Sequence, residues 1–205
     1  MFSSSTSNEL NDKTATELLE LINKREIGCV ELINSCINRY ETINHSINAI
    51  VETNFDEAIK ICKTLDSDSS EKTDAATSLP LPIGIKDLND VKGLKTSYGS
   101  PLFKDNVAEE DDDVVSSLRK FSAIIFGKTN VPEHGFGATT TNPLQGSTGN
   151  PFNPDLSAGA STGGGAAAVA SGIVPLATGS DFAGSLRTPA GFCGIAGMRP
   201  SNGIV

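Results

Sequence analysis

No stretch constrains this chain more than Ser157 to Pro200, which reads SAGASTGGGAAAVASGIVPLATGSDFAGSLRTPAGFCGIAGMRP. Its side chains are so small that backbone N–H groups can approach a ligand with little in the way. Ser161 or Thr162 can cap a short helix, because Gly163-Gly164-Gly165 leads into Ala166 to Ala170 and Gly172 supplies a stop. Ile173 to Ala177 then reads as a short buried strand. It runs into Gly179-Ser180-Asp181-Phe182-Ala183-Gly184-Ser185, a turn whose successive amides can converge on one anion, with Ser185 beside them. These are the parts of an oxyanion hole next to a nucleophile.

Upstream, helical and extended signals alternate. Met1 to Asp12 is polar and is expected to fray. Thr14 to Glu17 matches a capping box, Leu18, Leu19, Leu21 and Ile22 mark one helical face, and Gly28 is expected to end that turn. A second helix fits Val30 to Ile43, with Leu32, Ile33, Cys36, Ile37 and Tyr40 on one stripe. Asn48 to Val51 fits a strand and Asp56 to Leu65 a third helix. Asp66 to Ser78 is charged, serine-rich and without periodicity, so it reads as a surface linker. Residues 1–78 are thus expected to be a helical layer plus linker, and 79–205 part of a catalytic core.

Ile83-Gly84-Ile85 is a short apolar strand that delivers Lys86 at its end. Burial there disfavours the ammonium and prepares the amine to accept a proton. Asp87 and Asp90 read as capping or ion-pairing groups. Glu109 to Asp113 read as a solvated cap on an amphipathic helix, Val114 to Phe121, rather than as a metal site. Ala123 to Gly127 is a buried strand, and Lys128 beyond it reads as a structural partner. His134 with the G-x-S-x-G of Gly159 to Gly163 suggests a Ser-His scheme. No strand is expected before Gly159, however, and the histidine precedes the serine, which is not the α/β-hydrolase order.

A net charge of −9 argues against nucleic acid or an anionic membrane as direct partners. The sequence has no apolar run of spanning length and no secretory leader pattern, which makes the cytoplasm the expected location. Cys29, Cys36, Cys62 and Cys193 are scattered without a C-x-x-C, so neither a disulfide frame nor a zinc site is expected.

In G-A-S-T-G-G followed by G-S-D-F-A-G-S-L-R-T-P the chain resembles the amidase signature family of serine hydrolases. Pro82 to Asp87 looks like that family's lysine segment, and Gly127 to Glu133 like its next signature; the resemblance extends from Thr14 to Val205. It implies an α/β fold, a mixed β-sheet sandwiched by helices, of which this chain corresponds to the N-terminal half. It implies Ser185 as nucleophile, Ser161 as bridging serine and neutral Lys86 as base, a variant of triad logic. Backbone N–H groups of Phe182, Ala183, Gly184 and Ser185 would hold the oxyanion. Thr162, where the family has a second serine, would support the site, and Asp181 and Arg187 would pair to shape the turn.

No metal or cofactor is required by that scheme. The expected partner is a small-molecule amide, and family dimers imply a homodimer. The sequence departs from the family at Ala158, which stands for a proline, and at Gly165, which stands for a serine. Ala160 replaces the glycine before a peptide bond that is cis in the family. Ala183 replaces an oxyanion-loop glycine, and an alanine there would be strained if the position needed a positive φ. Two alternatives stand beside amide hydrolysis: a truncated, non-catalytic fragment or binding module, and an A-type amidotransferase subunit working with partners. Ile204-Val205 reads as the start of a strand.

Overall fold

The computed structural model of the protein describes residues 6–67 and 78–204. The N-terminal part comprises α1 (Thr6–Asn11), α2 (Ala15–Asn23), α3 (Cys29–Ile47), β1 (Ile50–Thr53) and α4 (Phe55–Ser67). There follow β2 (Pro82–Lys86), α5 (Asp113–Lys120) and β3 (Ile124–Thr129). Two small hairpins come next, β4 (Thr141–Asn142) with β5 (Gly146–Ser147) and β6 (Gly149–Asn150) with β7 (Asn153–Ser157). The chain then forms α6 (Gly163–Ala170), β8 (Leu176–Ala177) and α7 (Arg187–Cys193). The main sheet has the order β1-β3-β2-β8, with β1 antiparallel to β3 and the other neighbours parallel. It is the mixed, helix-covered α/β sheet that the resemblance implies.

Strands β2 and β3 are buried along their whole length, as parallel strands covered on both faces must be. Ile124 and Phe126 enter the larger core with Leu18, Leu32, Ile33, Cys62 and Ala167, while Ile125 joins Ile83, Ile85, Val91 and Val115 in the second. Between β2 and β3 the regular alternation breaks once. The register passes from Ile83↔Ile125 to Gly84↔Gly127, so β3 carries an extra residue at Phe126. Gly127 is required there, because a Cβ would overlap the Glu52 carbonyl oxygen of β1. Past the bulge Lys128 stands opposite Ile85 and Thr129 opposite Lys86. The two lysines therefore leave the sheet on opposite faces.

The capping box of α2 forms as expected: Thr14 N donates to Glu17 Oε2 at 2.7 Å and Glu17 N to Thr14 Oγ1 at 3.3 Å. Gly28 does not end that helix. It starts α3, where the carboxylate of Asp66, at the far end of α4, accepts from Cys29 N at 2.7 Å and Val30 N at 2.9 Å. Helix α3 runs a turn beyond its expected end. It stops at Asn48 (φ 50°), and buried Asn44 turns the chain into β1 by accepting from Ala49 N and Ile50 N.

The N-terminal expectation also needs correction, since residues 6–11 are helical. Leu10 is buried, and Asn11 donates to Gly172 O at 2.8 Å while accepting from Ser35 Oγ at 2.7 Å. Of the strand expected over Ile173 to Ala177 only Leu176–Ala177 pairs, since Pro175 has no N–H to give. The expectation that no strand precedes Gly159 fails too, although β7 belongs to an exposed hairpin and not to the main sheet.

The acidic run is not simply solvated. Asp111 pairs with Arg119 at 2.8 Å, and Asp112 Oδ2 accepts from Asn89 Nδ2 and Asp90 N, tying the loop after β2 to α5. Residues 68–77 of the expected linker, the first residues of the expected frayed segment and Val205 lie outside the described residues; Ile204 is not in a strand. No helix among the described residues is long and apolar enough to cross a membrane.

Candidate active site

Strand β2 ends in a lysine that water does not reach. Lys86 has no exposed surface; its backbone N–H donates to Thr178 Oγ1 at 2.9 Å, which fixes the strand end against the segment after β8. Its Nζ lies 2.8 Å from Ser161 Oγ, 2.9 Å from Thr162 Oγ1 and 2.8 Å from Ser180 Oγ. Three hydroxyls from two distant loops thus converge on one amine. Burial pushes the Lys86 ammonium down to about 8, and attraction by Asp181 offsets part of that effect. At pH 7 about a tenth of the side chain is then the free amine, against roughly one part in three thousand for a lysine in water.

Small residues make this convergence feasible. A Cβ on Gly164 would collide with Asn130 N, and one on Gly163 with Thr140 Oγ1, so α6 can press its first turn against the end of β3 only as glycine. Thr162 occupies the N-cap position, yet its hydroxyl goes to Lys86 instead of capping. Thr140 Oγ1 substitutes for it, accepting from Gly163 N at 3.1 Å and donating to Gly159 O at 2.8 Å. The peptide bond between Ala160 and Ser161 is cis, with Ala160 and Ser161 both buried.

Ser185 stands next to this cluster through the backbone: Thr162 N donates to Ser185 O at 3.0 Å. Its hydroxyl has no hydrogen-bond partner among the described residues, and none joins it to Ser161. The turn before it is built on Asp181, whose side chain is 1 % exposed. Asp181 accepts from Arg187 Nε at 2.8 Å, from Arg187 Nη2 at 3.0 Å and from Gly184 N at 2.7 Å. The Arg187 guanidinium holds its carboxyl well below the usual range, with further help from backbone amides.

Gly184 therefore departs from the expected oxyanion set, because its N–H is already given to Asp181. The amides of Phe182, Ala183 and Ser185 have no partner among the described residues. Ala183 is not in the left-handed region; Gly184, with φ 111°, carries that conformation, so the alanine brings no backbone strain. Position 165 leaves little room for the serine that the resemblance implies, since an added Cβ would lie 3.2 Å from Thr162 Cγ2 and 3.3 Å from Ala177 Cβ.

Other titratable groups stay apart from the cluster. Lys128 is fully buried on the opposite face, paired to Asp87 at 3.0 Å and donating to Asn89 O and Thr96 Oγ1, both at 2.7 Å. Asp90 accepts from Tyr98 Oη at 2.8 Å. His134 is exposed, its ring in a T-shaped contact with Phe103, and its imidazole makes no hydrogen bond to a serine hydroxyl among the described residues. The four cysteines are free thiols buried in the larger core, pushed up mainly by burial. Sequence reasoning missed Ser180 and Thr178, which reach Lys86 only once β8 lies beside β2.

Residues 31–205 match the family described as Amidase. The chain is 36 % identical over 200 residues to the A-type subunit of glutamyl-tRNA(Gln) amidotransferase from Chromohalobacter salexigens, covering 96 % of this chain and 40 % of that protein. It is 37 % identical over 200 residues to an acylamidase of Rhodococcus erythropolis, covering 98 % and 42 %. Among solved structures it superposes on 6-aminohexanoate cyclic dimer hydrolase with a TM-score of 0.81 at 31 % identity, covering 90 % of this chain and 37 % of that one. Fatty acid amide hydrolase superposes with a TM-score of 0.82 at 28 % identity, covering 90 % and 32 %. The chain thus spans about 40 % of the length of the curated relatives it matches. With the buried lysine, the serine after a cis peptide and the second serine on an aspartate-built turn all lying inside that match, the chain belongs to the amidase family.

Proposed function

We propose that this chain carries the Lys-Ser-Ser half of an amide hydrolase site and contributes it to cleavage of a carboxylic amide C–N bond. The observation that carries the reading is the contact of Lys86 Nζ with Ser161 Oγ at 2.8 Å in a water-excluded setting, with Ser185 held next to it by the Thr162 N–H.

The chemistry follows from proton inventory. Neutral Lys86 takes the proton of Ser161, Ser161 takes that of Ser185, and Ser185 Oγ bonds to the amide carbon. The resulting oxyanion accepts from the amides of Phe182, Ala183 and Ser185. Collapse breaks the C–N bond while the proton returns from Lys86 through Ser161 to the departing nitrogen. Water then attacks the ester by the same relay and frees the acid. Beside Thr162 an apolar groove of about 360 Å³ runs from Gly179 toward Leu186, Ile195 and Met198.

The test is intact mass after treatment with a serine-directed fluorophosphonate, for the wild type, Ser185→Ala and Lys86→Ala. One adduct on the wild type, absent from Ser185→Ala and slowed in Lys86→Ala, is expected. A cooperatively folded wild type that takes no adduct would refute a competent relay in this chain.

The likeness to the amidotransferase subunit supports a second reading, in which the same chemistry serves a complex acting on aminoacyl-tRNA. Retention of labelled transfer RNA by the co-purified complex would favour it, and recovery of the chain alone would count against it.

A further inference from the structure

We infer that Ser180 and Thr162 are positioning residues that hold the Lys86 lone pair on Ser161 Oγ. This rests on the reading of Lys86 as the base. A neutral amine has two N–H donors and one lone pair, and three hydroxyls crowd it at 2.8, 2.9 and 2.8 Å. Only one hydroxyl can therefore donate to it, and the other two must accept.

Each hydroxyl also has a single proton, and its surroundings decide where that proton goes. Thr162 Oγ1 directs its proton toward Ser180 O at 3.5 Å, so it accepts from Lys86. Ser180 is exposed and can turn its proton to water while its lone pair takes the second N–H. Ser161 is buried and has no other partner among the described residues, so its proton points at Nζ. The arrangement aims the one lone pair of the amine at the one hydroxyl that the relay must deprotonate. Once Lys86 is protonated, Thr162 and Ser180 remain as acceptors for the new ammonium. The charged group acting on Lys86 from the neighbouring turn is Asp181, already committed to Arg187 and the Gly184 amide.

Ser180 differs from a packing residue in what its removal does to the lysine. Loss of one acceptor makes the ammonium harder to form, so the titration midpoint of Lys86 falls by about 1 pH unit. The intact chain is labelled with 13Cε-lysine and titrated by NMR, the Lys86 resonance being identified by its loss in Lys86→Met. Ser180→Ala and Thr162→Val are each expected to lower the midpoint, and Ser180→Thr, which keeps the hydroxyl, to restore it. In fluorophosphonate labelling, Ser180→Ala is expected to shift the rising limb of the rate-pH profile to lower pH in step with the NMR midpoint and to reduce the plateau about 10-fold.

A Ser180→Ala midpoint equal to that of the wild type overturns the inference, because a merely structural serine would change the plateau alone. Lowered midpoints in a chain that takes no adduct support the hydroxyl arrangement and sink the hydrolase reading. Normal labelling with unmoved midpoints does the reverse.

Discussion

Replacing Lys86 with methionine should invert the usual cost of altering a buried site as pH falls. In the folded chain the ammonium titrates at about 8 instead of the ordinary 10.5. Between those values the unfolded chain binds a proton that the folded chain does not, so stability must rise with pH across that window. Integrating the linkage gives a penalty on the wild type of about 3 kcal/mol at and below pH 8, about 2 kcal/mol at pH 9 and about 1 kcal/mol at pH 10. Lys86→Met removes this dependence. It also strips the Ser161 and Thr162 hydroxyls of their shared partner, at about 1–3 kcal/mol each, but that loss does not vary with pH in this range. Urea unfolding of both proteins at pH 7, 8, 9 and 10 isolates the lysine, because Lys128 and the cysteines titrate alike in the two chains. The stability of the wild type relative to the variant should climb by about 2 kcal/mol from pH 7.5 to pH 10. Parallel profiles would show that Lys86 keeps its proton in the fold, and the base assignment would fall with it.

Two further substitutions test the frame that holds the site. Asp66→Ala removes both backbone partners from the start of α3 and should cost about 1–2 kcal/mol in urea unfolding, with the helix content lost first at its Cys29 end by hydrogen exchange. Lys128→Met leaves the Asp87 carboxylate buried without its cation and should cost about 3–5 kcal/mol, while the double variant Lys128→Met, Asp87→Asn should recover part of that loss. A double variant no more stable than the single one would mean the pair is not the unit that matters.

What the sequence made legible was local. Thr14 and Glu17 announce their capping box because the box needs only four consecutive residues. Strands β2 and β3 announce themselves because apolar runs end in charged residues at both. The pairing of Asp181 with Arg187 was readable from their proximity in the turn. Illegible were features made by distant chain. Residues 6–11 look too polar to be held, and they are held by Gly172 and Ser35. Gly28 looks like a stop because nothing near it reveals that Asp66 will cap the next helix. Ser180 is one more serine among glycines until β8 brings it to Lys86. The bond from the Gly184 amide to Asp181 is hidden for a related reason, since the sequence shows the spacing to Asp181 but not which way that carboxylate turns.

The separations between Lys86 and its partners also set the order in which the site can come into being. Ser161 lies 75 residues after the lysine and Ser180 94 residues after it, and β8 joins β2 through only two register pairs, Ile83↔Leu176 and Gly84↔Ala177. Pairing β2 with β3 closes a loop less than half as long as the one that brings β8 to β2, so it meets the smaller entropic cost and is expected first. Without β8, β2 is an edge of the sheet, and Lys86 lacks the Thr178 and Ser180 contacts that follow that strand. A Lys86 titration lowered from 10.5 to about 8 is therefore the chemical mark that β8 has closed over the end of β2.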